Sequence, residues 1–110
     1  MIKQDINTFF TEHDSSFRIQ SSLMEGWISS DTRSNLEDNN FVVECIQHHG
    51  GEDEGTEYWG IWKFTSGGES VFIRFNGYYQ SFCDTQYLGY EFVVPTEVMV
   101  IQYLKDETND

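Results

Sequence analysis

Residues 58–75 decide the fold, and they read YWGIWKFTSGGESVFIRF. Two alternating runs of aromatic and β-branched residues flank Gly67 and Gly68, a dipeptide that takes the positive φ angles of a two-residue hairpin turn. With the turn at this position, Phe64 pairs with Val71 and the register of the whole hairpin follows. The stretch therefore predicts two long antiparallel strands joined by a tight turn.

The two faces of this hairpin differ in polarity. One face is wholly apolar and is expected to lie in the core; it carries Gly60, Trp62, Phe64, Val71, Ile73 and Phe75. The opposite face is mixed and carries Trp59, Ile61, Lys63, Phe72 and Arg74. A sheet with one apolar face needs a covering layer on that side only.

The composition of the chain favours β-structure. Alanine, the best helix former, is absent, and Val and Ile together number 15 against 4 Leu. Aromatic residues make up 16% of the sequence, which is unlike a disordered acidic chain. β-Branched and aromatic side chains fit a pleated surface and lose rotamer freedom in a helix, so the fold is predicted to be mainly β.

One helix is nevertheless predicted at the N-terminus. Ile2, Ile6, Phe9, Phe10 and His13 recur at three- and four-residue steps and so form one apolar stripe. A helix this short is marginal alone in water, and we expect its phenylalanines to pack on the sheet.

Further strands and turns are predicted along the rest of the chain. Short strands are expected at residues 17–20, 26–29 and 41–46, with a polar loop or a single helical turn at 31–40. Asn76-Gly77 is a second hairpin signal leading into residues 78–82, and 83–86 are expected to form a turn. Residues 87–94 alternate, placing Leu88, Tyr90, Phe92 and Val94 on one side, and 97–104 are expected to form the last strand.

These elements predict an α+β fold that is mainly β. An N-terminal amphipathic helix precedes a strongly bent antiparallel sheet or a small, SH3-like, partly open barrel of six to eight short strands. Residues 1–104 are expected to form a single domain, and 105–110 a frayed acidic tail.

The charge of the chain excludes several classes of function. The 110 residues contain 19 Asp and Glu against 6 Lys and Arg, a formal net charge of -13. Direct binding of nucleic acid needs clustered cations, as does a polybasic membrane anchor, so neither is expected. The N-terminus becomes polar too early for a signal peptide, and no apolar run approaches the length of a membrane span. We therefore expect a cytoplasmic protein.

Motifs for catalysis or for metal binding are lacking, so we expect neither an enzyme nor a cofactor. His48 and His49 lie beside an acidic loop, but adjacent side chains on a strand point to opposite faces and do not converge on a metal ion. Cys45 and Cys83 form no CxxC pair, and two reduced thiols are the expected state, with a disulfide left open. A reactive cysteine also needs an electropositive environment, which this chain does not offer.

The acidic residues gather in patches that point to a binding surface. A net charge of -13 exceeds the magnitude of about 2–8 that suffices for the solubility of a small domain. We predict that the acids face a basic protein surface and that an aromatic side chain serves as an anchor. The candidate partner-binding residues are Glu52, Asp53, Glu54, Glu57 and Trp59 around one loop, and Asp31, Glu37 and Asp38 around another.

In size, charge and aromatic-rich β content, the whole chain resembles the small acidic proteins that bacteriophages and mobile elements encode against host defences. Anti-CRISPR proteins and anti-restriction DNA mimics are of this kind. The resemblance implies a non-enzymatic inhibitor that occupies a basic, nucleic-acid-binding surface of a larger host protein in the host cytoplasm. Two alternatives are an immunity protein or antitoxin that neutralises a basic toxin, and a structural phage or assembly module. The oligomeric state is left open.

Overall fold

A computed structural model describes residues 1–50, 57–80 and 83–96 of the chain. Three helices come first and four strands follow. The helices are α1 (Ile2–Glu12), α2 (Ser16–Met24) and α3 (Ser30–Asp38), and the strands are β1 (Val42–His49), β2 (Glu57–Ser66), β3 (Glu69–Gln80) and β4 (Cys83–Val93). The strands pair in the order β1-β2-β3-β4, each antiparallel to the next. The predicted α+β class, mainly β, is confirmed.

The hairpin predicted from residues 58–75 is present with the expected register. β2 and β3 pair Phe64 with Val71, and the turn residues Gly67 and Gly68 have φ angles of 58° and 84°. The apolar face lies in the core, where Phe64 and Phe75 are fully buried. A residue with a Cβ atom would be strained at these positive φ angles, which explains the two glycines in the turn.

The helices cover the apolar face of the sheet. The predicted N-terminal helix is confirmed as α1, and its buried residues include Phe9 and Phe10. The Phe10 ring makes T-shaped contacts with Phe64, Phe75 and Tyr90, with ring centroids 6.1, 5.9 and 5.1 Å away. Such contacts stabilise each pair by about 0.5–1.5 kcal/mol beyond the area they bury. The other face of the sheet, called the outer face below, has no helix on it among the described residues.

The strand predicted at residues 17–20 is wrong, because these residues belong to α2. Ile19 and Leu23, four residues apart, are both buried against the sheet. Four residues of alternation are too few to distinguish a strand from a helix, and the helical spacing extends beyond them. The indole N–H of Trp62 donates to the Leu23 carbonyl at 2.6 Å and so fixes the end of α2 to β2.

The strand predicted at residues 26–29 is also wrong. Gly26 has a φ of 83°, and residues 27–29 connect α2 to α3 without regular structure. The expected single turn around Leu36 is a helix of 9 residues. The Ser29 hydroxyl caps it by accepting from the Thr32 backbone N–H at 3.1 Å, and Leu36 is fully buried.

The second hairpin signal is misleading, because Asn76 and Gly77 lie inside β3 rather than in a turn. A Cβ atom on Gly77 would collide with the Met24 sulfur, so this glycine admits α2 to the sheet. The turn predicted at residues 83–86 is likewise wrong, since these residues begin β4.

The alternation predicted for residues 87–94 holds over only part of β4. Tyr90 and Phe92 pack against the core, whereas Leu88 is 62% exposed and Val94 78%. The register shifts between Asn76 and Gly77 of β3, which face Gly89 and Tyr87. This bulge leaves Leu88 unpaired and moves Tyr87 to the core side.

Four strands are described, and they do not confirm the predicted six to eight strands or the SH3-like barrel. The predicted last strand at 97–104 and the predicted tail at 105–110 lie outside the described residues. The single domain over residues 1–104 stays a prediction.

Candidate functional site

The predicted binding residues are divided between the two sides of the sheet. Glu57 and Trp59 begin β2 and belong to the outer face. Asp31, Glu37 and Asp38 are exposed on α3, whose Leu36 enters the core on the helical side. Glu52, Asp53 and Glu54 lie outside the described residues. The structure therefore does not bring the described members of the two groups into one patch.

Trp59 and Glu57 are engaged within the chain. Arg74 Nη2 donates to Glu57 Oε1 at 3.1 Å, and the guanidinium carbon lies 4.8 Å from the centroid of the Trp59 ring. The His49 ring stacks on Trp59 with an interplanar angle of 15° and centroids 5.3 Å apart. Glu57 is consequently neutralised locally, and Trp59 is half-buried. Glu57 and Trp59 are therefore less available to contact a basic partner than the sequence indicates.

A wide cleft opens on the helical side, where the C-terminal ends of α1 and α3 meet. It encloses about 540 Å³ and is lined by Gln4, Asp5, Thr8, Phe9, Glu12, His13, Asn39 and Phe41. Asp5 and Glu12 are seven residues apart, which is two turns of α1, so their carboxylates follow one side of the helix. The floor is apolar, because Phe9 and Phe41 are nearly buried and their rings lie 5.6 Å apart.

His13 holds the two helix ends together. It caps α1, and its Nδ1 atom accepts from the Ser15 backbone N–H at 3.2 Å. Its Nε2 atom lies 3.1 Å from the side-chain amide of Asn35 in α3. The Ser15 N–H and the Asn35 amide nitrogen are both donors, whereas a neutral imidazole accepts at one ring nitrogen only, so the two contacts compete for the same acceptor capacity of His13.

Three carboxylates at this junction lie where a helix disfavours them. The C-terminal end of a helix carries a partial negative charge, which cations stabilise by about 0.3–1 kcal/mol and anions oppose. Glu12 is the last residue of α1, and Glu37 and Asp38 are the last two of α3. None of the three described helices has a basic residue in its last turn. We call Glu12, Glu37, Asp38 and Asp5 the acidic junction. Asp5 lines the cleft but differs from the other three, because it lies in the first turn of α1, where the helix dipole favours a carboxylate, 4.0 Å from the N-terminal amine.

The charge balance of the helical part agrees with a negative surface. Residues 1–41 contain seven acids, namely Asp5, Glu12, Asp14, Glu25, Asp31, Glu37 and Asp38. They contain three cations, Lys3, Arg18 and Arg33. Arg33 Nη1 donates to the Val43 carbonyl at 2.9 Å, so one of these cations is directed at β1. All of the acids except Glu25 are exposed.

Sequence reasoning missed Asp5, Glu12, His13 and Asn39 as members of a common site. The seven-residue spacing of Asp5 and Glu12 on a predicted helix is a signal that was present. The meeting of α1 with α3 is not encoded in any local pattern, because it depends on how both helices pack on the sheet. Glu37 and Asp38 were predicted and lie at the junction, whereas Asp31 lies in the first turn of α3.

Groups for metal or thiol chemistry are not assembled in the described ranges. No three His, Cys, Asp or Glu side chains converge there as metal ligands would. His48 pairs with Gly60 on the core side, whereas His49 pairs with Trp59 on the outer face. Cys45 is an exposed free thiol on β1, and partial burial raises its pKa, which disfavours the reactive thiolate.

Comparisons with family models, with curated proteins and with solved structures found no match to this chain. Within residues 1–50, 57–80 and 83–96, no helix is long and apolar enough to cross a membrane.

Proposed function

We propose that this chain is a non-enzymatic acidic binding protein that occupies a basic, nucleic-acid-binding surface of a larger protein. The proposed contact is the acidic junction on the helical side. This function is of the type that phages and mobile elements encode against host defences, and we place it in the host cytoplasm.

The observation that carries the proposal is the unfavourable placement of three of the four carboxylates in the acidic junction. Glu12, Glu37 and Asp38 oppose the dipoles of the helices that bear them, and no cation in the last turns offsets them. A surface selected for stability alone would have Lys or Arg at these positions. Lys and Arg side chains supplied by a partner would neutralise the junction, so the cost to the free chain favours the complex.

The shape of the junction suits cationic side chains. The cleft is open, Asp5 and Glu12 are among its lining residues, and Phe9 and Phe41 add apolar surface to it. A guanidinium group forms paired hydrogen bonds with carboxylates, and the methylene groups of an arginine pack on apolar surface. Arg residues of a partner would therefore find both kinds of contact in one cleft.

The extent of the negative surface favours a large basic partner over a single small cation. Exposed acids extend from α1 through α3, beyond the reach of one bound ion. A broad negative field steers association with a basic protein and raises its rate, an effect that weakens as salt screens it. Glu52, Asp53 and Glu54, which precede β2 in the sequence, form a second proposed contact, to which Glu57 contributes less because it is paired with Arg74.

The test is capture of partners from a bacterial lysate by the immobilised full chain at low salt. The proposal expects retention of a nucleic-acid-binding protein that elutes as salt rises and is displaced by added DNA or RNA. It also expects Glu12→Lys or Asp38→Lys to abolish retention. The matched control is Glu69→Lys, which makes the same charge change at an exposed position of the β2–β3 hairpin.

Three results would contradict the proposal. Retention that is indifferent to salt would exclude an electrostatic contact. Equal loss of retention in Glu12→Lys, Asp38→Lys and Glu69→Lys would show that net charge, rather than the acidic junction, is recognised. Retention of a small basic toxin that nucleic acid does not displace would favour the immunity-protein alternative.

A further inference from the structure

The outer face of the sheet carries an apolar groove. It encloses about 290 Å³, and its apolar lining consists of Ile46, Ile61, Phe72, Val93, Val94 and Pro95. These residues come from all four strands and from the chain that follows β4, so the groove crosses the sheet. Ile46 is 48% exposed and Val94 is 78% exposed. Exposed apolar side chains grouped in this way mark a surface that another segment covers.

A second apolar slot lies on the other side of the same segment. It encloses about 350 Å³ between α1 and the ends of β3 and β4, and it shares Val94 and Pro95 with the groove. Lys3 and Phe92 are among its lining residues, and the Lys3 ammonium lies over the Phe92 ring, 5.5 Å from the ring centroid. The chain therefore leaves β4 between two unfilled apolar slots.

Arg74 on the wall of the groove has an unsatisfied donor. Its Nη2 atom donates to Glu57, but its Nε atom is buried and has no hydrogen-bond partner among the described residues. Buried donors are almost always paired in folded proteins, because leaving one unpaired costs about 1–3 kcal/mol. A segment seated in the groove would bring carbonyl oxygens within reach of this atom.

We propose that residues 97–104 of the same chain dock into this groove. Val94 and Pro95 already line it, and residue 97 comes two positions after Pro95 in the chain. Residues 97–104 read EVMVIQYL, in which only Glu97 and Gln102 are polar. Eight extended residues reach roughly 26 Å, whereas the three gaps between four strands span roughly 14 Å, so the segment is long enough to cross the sheet.

The segment is a better occupant than a second copy of the chain. A tethered segment binds at high effective concentration and loses little translational freedom. Two copies brought face to face would each carry a formal net charge of -13 and would repel one another. Docking of residues 97–104 also removes the outer face as an assembly surface, and it leaves the helical side as the face open to a partner.

The test uses point variants of the full chain. We expect Met99→Asp or Val100→Asp to lower the melting temperature by several degrees and to raise binding of a hydrophobic dye several-fold. Neighbouring residues of an extended segment point to opposite sides, so at least one of the two must face the groove. The matched control is Thr108→Asp, which adds the same charge outside the segment and is expected to change neither measurement.

A double-mutant cycle locates the contact even if the aspartate variants fail to fold. Phe72→Ala and Val100→Ala, or Phe72→Ala and Met99→Ala, are expected to shift the melting temperature by less together than the sum of their separate shifts. Additive shifts in both pairs would overturn the proposal. A melting temperature that rises with protein concentration, and that loses this dependence in Phe72→Ala, would overturn it in favour of a second copy.

Discussion

The close approach of α2 to β2 at Gly60 leads to a sharp prediction about stability. A Cβ atom at this position would lie within the contact distance of the Leu23 carbonyl oxygen and 3.0 Å from that of Met24. Both obstacles are backbone atoms at the end of a helix, so they cannot move aside as a flexible side chain would. Gly60→Ala therefore forces α2 away from the sheet. The same displacement lengthens the hydrogen bond from the Trp62 indole to the Leu23 carbonyl.

The size of the effect follows from the kind of collision. Adding a methyl group to a well-packed interior costs about 1–3 kcal/mol, and a clash with fixed backbone belongs in the upper half of that range. For a domain of this size, each kcal/mol lowers the melting temperature by roughly 4–8 °C. We expect Gly60→Ala to reduce the free energy of unfolding by about 2–3 kcal/mol and the melting temperature by roughly 8–24 °C.

Urea unfolding followed by circular dichroism measures this loss, and Gly67→Ala is the control. Gly67 has a φ of 58° but no atom within 4 Å of its Cβ position, so alanine there carries only the cost of a left-handed backbone, about 1–2 kcal/mol. Gly60→Ala should therefore be the more damaging of the two. If the free energy of unfolding of Gly60→Ala lay within about 0.5 kcal/mol of the parent value, the close packing of α2 on β2 would be refuted.

Three further predictions concern other contacts. Trp62→Phe removes the indole bond to the Leu23 carbonyl and part of a buried ring, so urea unfolding should show a loss of about 1–3 kcal/mol. Ser29→Ala removes the cap that accepts from the Thr32 backbone N–H, and the midpoint of unfolding should reflect about 1 kcal/mol. Burial raises the pKa of the Tyr87 hydroxyl, so the unfolded chain loses this proton first; the melting temperature should fall above about pH 10, and less steeply in Tyr87→Phe.

The hairpin could be predicted from the sequence because its determinants are local. The positive φ angles at Gly67 and Gly68 and the alternation on either side of them specify the turn and the register together. The same signal failed at Gly77, where the missing side chain makes room for Met24 instead of a turn. A glycine therefore indicates a special backbone position or a close approach, and the sequence alone does not distinguish the two.

α2 and the faces of β4 were mispredicted because tertiary packing outweighs short patterns. The helical spacing of Ile19 and Leu23 competes with a four-residue alternation, and burial against the sheet decides in favour of the helix. In β4, a bulge at Leu88 shifts the alternation by one residue, and nothing in the local pattern marks it.

The candidate site was predictable only in part. Glu37 and Asp38 were recognised as acidic, but their position at a helix C-terminus became visible only with the bounds of α3. The approach of Glu12 and His13 to Asn39 depends on two helices packing on one sheet, and no sequence spacing encodes that distance.

The most direct test of the account compares the stability and the partner binding of Asp38→Lys. A cation at the end of α3 is stabilised by the helix dipole that opposes Asp38, so the melting temperature should rise. Retention of the lysate partner by the same variant should be lost, while Glu69→Lys changes neither property. The account therefore predicts that Asp38→Lys raises the melting temperature and loses the partner, because the carboxylate is unfavourable in the free chain and needed for binding. A variant that is less stable than the parent and still retains the partner would contradict the account.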